Sequence, residues 1–123
     1  MNNYEKLTDV IEVVREKWGQ GANTVFRGNE TYCIIGSLSF CYLPELGNDD
    51  IPYLTLEEKY PIVVQTIAQK IRENFSYSRP GMFQAQYSGN DITRLWEFND
   101  KPQREKQDVI DVLKMARDEF KNE

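Results

Sequence analysis

The chain has 123 residues and not one histidine. That absence removes Ser–His and Cys–His nucleophile pairs, histidine general-base work and His-ligated zinc. Cysteine is nearly as scarce: Cys33 and Cys41 are the whole supply, too few for a structural zinc site without histidine partners. Placed on one helix, they would lie about 12 Å apart along its axis, beyond the reach of a disulfide. No export signal is expected either. Met1 is followed by Asn2, Asn3, Tyr4 and Glu5, with neither a basic flank nor an apolar core. Two thiols without such a signal fit a reducing cytoplasm, which is the expected location. There is no long apolar run either. The longest, Ile34 to Leu43, has about 10 residues, half of what a bilayer span requires, so no membrane association is expected. Trp18-Gly19-Gln20-Gly21 lacks the Lys-Ser/Thr of a phosphate loop and follows a helical pattern instead of a strand. No cofactor is expected.

What is present points to a small soluble domain. The apolar share is 40% and the charged share 28%, ordinary values for a globular protein, and the length suits one domain over 1–123. The most apolar stretch, Tyr32 to Phe40, carries no charge. Its side chains are apolar on every side, as in a helix surrounded by protein, although Ile34-Ile35 would also extend a strand. Pro44 ends it. Ahead of it, Tyr4, Leu7, Val10, Ile11, Val14 and Trp18 mark an amphipathic helix over 4–18, closed by Gly19. Thr24–Arg27 and Glu30–Cys33 are β-rich and flank Gly28-Asn29, a good tight-turn pair, so a hairpin is expected there. Thr55-Leu56-Glu57-Glu58 resembles a capping box. Pro61 suits the first turn of a helix, and Val64, Ile67, Ala68, Ile71 and Phe75 carry that helix over 61–75. Residues 76–90 show no helical period, and Phe83, Ala85 and Tyr87 could face one side of a third strand. Asp91 can cap a short helix with Ile92, Leu95 and Trp96. A last helix over 103–121 carries Val109, Val112, Leu113, Ala116 and Phe120. The expected class is α+β: helix-dominated, with a small antiparallel hairpin or three-stranded sheet.

Charge is unevenly placed around a formal total of −5. Residues 42–60 hold Glu45, Asp49, Asp50, Glu57 and Glu58 against Lys59, while 61–96 hold Lys70, Arg72, Arg79 and Arg94 against Glu73 and Asp91. Solvated surface is the simpler reading of both, with a locally basic face for an anion as the other, and the acidic total argues against non-specific duplex binding. Asn48, Asp49, Asp50, Glu57 and Glu58 are oxygen donors but lack calcium-loop spacing, so no metal site is expected. Cys33 would sit at a helix N-terminus, where a thiolate is favoured; a buried, inert cysteine is the simpler reading.

Two further constellations could bind something. Arg72 and Arg79 with Phe75, Tyr77, Phe83 and Tyr87 could stack on and neutralise a nucleotide, or those aromatics could be core. Asn99, Asp100 and Arg104 could form a polar wall beside Trp96, or they could cap a helix and tie a turn through an Arg–carboxylate contact.

Some of these residues also carry a family resemblance. Cys33-Ile34-Ile35-Gly36-Ser37-Leu38 is similar to a Cys-x-x-Gly-Ala-Leu element. Leu95-Trp96 followed by Asn99-Asp100-Lys101-Pro102-Gln103-Arg104, then Asp108 to Leu113, is similar to a second element built on Asn-Asp-x-Pro-x-Arg. Trp18-Gly19 resembles the end of that family's first helix. The chain thus resembles a family of small uncharacterised proteins from bacterial and phage genomes. It departs from the pattern at Ser37, Glu105 and Asp108. The resemblance implies a phage or mobile-element origin and no activity. The expected function is non-catalytic: binding of a host protein or of a small anionic, nucleotide-like ligand through the segment Arg72 to Arg104, with a homo-oligomer also open. The alternatives are a small enzyme using Cys33 or a carboxylate pair, and a structural accessory subunit.

Overall fold

The computed structural model describes residues 1–21, 30–46, 50–75 and 91–123. These form six helices: α1 (Asn3–Lys17), α2 (Ile34–Tyr42), α3 (Pro52–Lys59), α4 (Pro61–Asn74), α5 (Asp91–Asp100) and α6 (Lys106–Asp118). Each starts where local chemistry favours it. Asn2 caps α1 by accepting from the Glu5 N–H, and the Glu5 side chain accepts from the Asn2 N–H in return, which satisfies donors that the first turn cannot pair. Pro52 and Pro61 occupy the first positions of α3 and α4, where a missing N–H costs nothing. The expected capping box at Thr55 is not used. Thr55 lies inside α3 and donates its hydroxyl to the Ile51 carbonyl.

α2 is the centre of the packing. It touches α1, α3 and α5, while α6 packs on α1 and α4, and α4 packs also on α5 and α3. Seven of its nine residues are buried, among them Ile34, Ile35 and Leu38. Burial of such side chains contributes about 1.5–3 kcal/mol each. Leu38 has no solvent exposure, so Leu38→Ala is expected to cost about 2–5 kcal/mol. One hydrophobic cluster takes residues from all six helices, from Leu7 on α1 to Ala116 on α6.

The α+β expectation is overturned. Among the described residues there are six helices and no strand. Glu30–Cys33, read as the second hairpin strand, instead contributes an isolated parallel bridge between Tyr32 and Trp18. The Tyr32 N–H donates to the Lys17 carbonyl at 2.7 Å, and the Gly19 N–H donates to the Tyr32 carbonyl at 3.0 Å. The local preference of Thr31 and Tyr32 for extended backbone is real, but it serves a short connector laid against the end of α1. Cys33 then starts α2 as its N-cap. The other expected strands, at 24–27 and at Phe83 to Tyr87, lie outside the described residues.

Candidate functional site

Every helix leaves unpaired N–H groups at its start and unpaired carbonyls at its end, and where these ends are buried something must satisfy them. Here three helix ends meet at one side chain. Asn99, near the C-terminus of α5, has no solvent exposure. Its Oδ1 accepts from the Ile34 backbone N–H, the first of α2, at 3.0 Å and from the Trp18 indole N–H at 2.7 Å. Its Nδ2 donates to the Gly19 carbonyl, just past α1, at 3.1 Å and to Asp100 Oδ1 at 3.0 Å. One amide thus satisfies two donors and two acceptors, which is the full capacity expected of it.

The rest of the neighbourhood completes the same task. Gln20 Nε2 donates to the carbonyls of Asn99 and Lys101 at 2.8 and 3.0 Å. Asp100 Oδ1 also accepts from the Gly21 N–H at 3.1 Å. Arg104 folds back so that its Nε donates to the Phe98 carbonyl at 2.8 Å. Its guanidinium carbon lies 3.9 Å from the centre of the Phe98 ring and 5.4 Å from that of Phe75, and Nη1 sits 3.6 Å from Asp108 Oδ2. A cation at the carbonyl end of α5 is favoured by the helix dipole. Gly19 is required by space: a Cβ there would meet Thr31 Oγ1 at 2.6 Å and Thr31 Cβ at 2.7 Å.

The expected site residues therefore separate. Asn99, Asp100 and Arg104 come together, with Trp18, Gly19 and Gln20, as an internal tie in which the Asn99 amide is fully engaged within the fold. Trp96, one turn earlier on α5, lies half exposed, its ring 6.3 Å from that of Tyr53 on α3. Arg72 on α4 pairs with Asp91 at 3.4 Å, joining α4 to α5. Arg79, Phe83 and Tyr87 lie outside the described residues, as do Asn48 and Asp49 of the acidic connector. Cys33 is buried at the head of α2, where its Sγ accepts from the Gly36 N–H at 3.4 Å. Sequence reasoning paired Trp18 with Gly19 only as a helix end, and gave Gln20 no role. The signal for Gln20 was faint, because a long amide just past a helix is common on surfaces.

Two other features stand outside the tie. Tyr42 is buried and donates its hydroxyl to Asn3 Oδ1 at 3.0 Å. Burial, reinforced by the nearby Glu123 carboxylate, holds its phenol well above the ordinary tyrosine range. Between the C-terminus of α2 and the outer side of α3 lies a cleft of about 450 Å³. No helix among the described residues is long and apolar enough to cross a membrane.

These observations define a class: a small domain, all-helical in its described residues, locked by a buried asparagine that joins three helix ends. The chain belongs to DUF6197, a family of unknown function whose profile matches residues 3–119. No curated protein and no solved structure matches the chain.

Proposed function

We propose that this chain is a non-catalytic binding protein whose partner is another protein. The observation that carries this reading is the half-exposed Trp96 ring, held against Tyr53 while the polar residues beside it are engaged in the fold. An exposed indole braced by a second aromatic is the kind of rigid anchor on which interfaces are built. A nucleotide-like ligand has weaker support. Arg104 is packed on Phe98 and hydrogen-bonded to a carbonyl, and Arg72 is paired with Asp91, so neither cation is poised for a phosphate. The enzyme alternative would use Cys33, which is buried and accepts from the Gly36 N–H, or a carboxylate pair.

The test is capture from an extract of the cells that encode the chain, with wild-type and Trp96→Ala baits side by side. The expected result is a protein retained by wild type and lost by Trp96→Ala, with unchanged thermal midpoints. Retention of nothing by wild type, or a clear rise in melting temperature with ATP or GTP, would overturn the reading, because a ligand that binds only the folded state must stabilise it.

A further inference from the structure

We draw no further inference here: the strongest candidate, the cleft between the C-terminus of α2 and the outer side of α3, has Lys6 of the chain itself over the Tyr42 and Tyr60 rings of its wall, and nothing in the structure shows what covers it.

Discussion

Asn99→Ala tests the tie directly. The substitution removes an acceptor from the Ile34 N–H and the Trp18 indole, and a donor from the Gly19 carbonyl. The Ile34 group is fully buried, so it cannot recover a bond from water, and an orphaned buried donor costs about 1–3 kcal/mol. Trp18 and Gly19 are only partly buried and can regain some hydration, which lowers their share to about 1 kcal/mol each. The small void left by the amide adds to this. The sum is about 3–5 kcal/mol, a large part of the stability of a domain this size, which is about 5–15 kcal/mol. The assay is urea unfolding followed by far-ultraviolet circular dichroism and, separately, by Trp18 and Trp96 fluorescence. Coincident transitions would establish that one cooperative unit is being read. A loss below about 1 kcal/mol would refute the reasoning, since it would mean that α2 does not need the contact at its head.

Gly19→Ala should destabilise by about 1–3 kcal/mol through overpacking, and because the clash is with Thr31 Cβ itself, Thr31→Gly should recover much of the loss whereas Thr31→Ala should not; urea midpoints decide. In native protein at neutral pH a small maleimide should modify the half-buried Cys41 well before the buried Cys33, and rapid labelling mapped to Cys33 by peptide mass would revive a thiol chemistry. Tyr42 sets an alkaline limit. Its raised phenol keeps its proton in the folded state while the unfolded chain ionises near the ordinary value of 10.0, so the unfolded state binds fewer protons and stability falls as pH rises above that value. Tyr42→Phe should flatten the fall, and an unchanged slope of the denaturation midpoint against pH would count against the assignment.

The helices were legible because their apolar period is strong and their ends carry punctuation. The four apolar residues Leu7, Val10, Ile11 and Val14 are the buried residues of α1, and Pro61 opens α4 as its chemistry suggests. The burial of α2 was readable from its lack of charge, while Ile34-Ile35 left its helical form open to a strand. The hairpin was misread because its second arm is four residues long, too short for alternation to separate a strand from an extended connector. Tyr32 shows why: its backbone is satisfied by the end of a helix, and no sequence rule looks for that partner. The site divided along the same line. Asn99, Asp100 and Arg104 were identified as special, but their partners lie some 65 to 81 residues away in sequence for Asn99, and a polar run near a helix end reads the same whether it faces a ligand or the head of another helix.

That ambiguity bears on what family membership tells about function. Of the residues on which the resemblance rests, Trp18, Gly19, Ile34, Asn99, Asp100 and Arg104 meet in the hydrogen-bonded tie, whereas Trp96, part of the same resemblance, lies half exposed. At the centre of the tie the Asn99 amide has both donors and both acceptors engaged within the fold. On the proposed reading as a binding protein, the surface to test first is Trp96 braced on Tyr53. Changes there should alter partner choice with little effect on stability, while changes in the tie should alter stability first and binding only as its consequence.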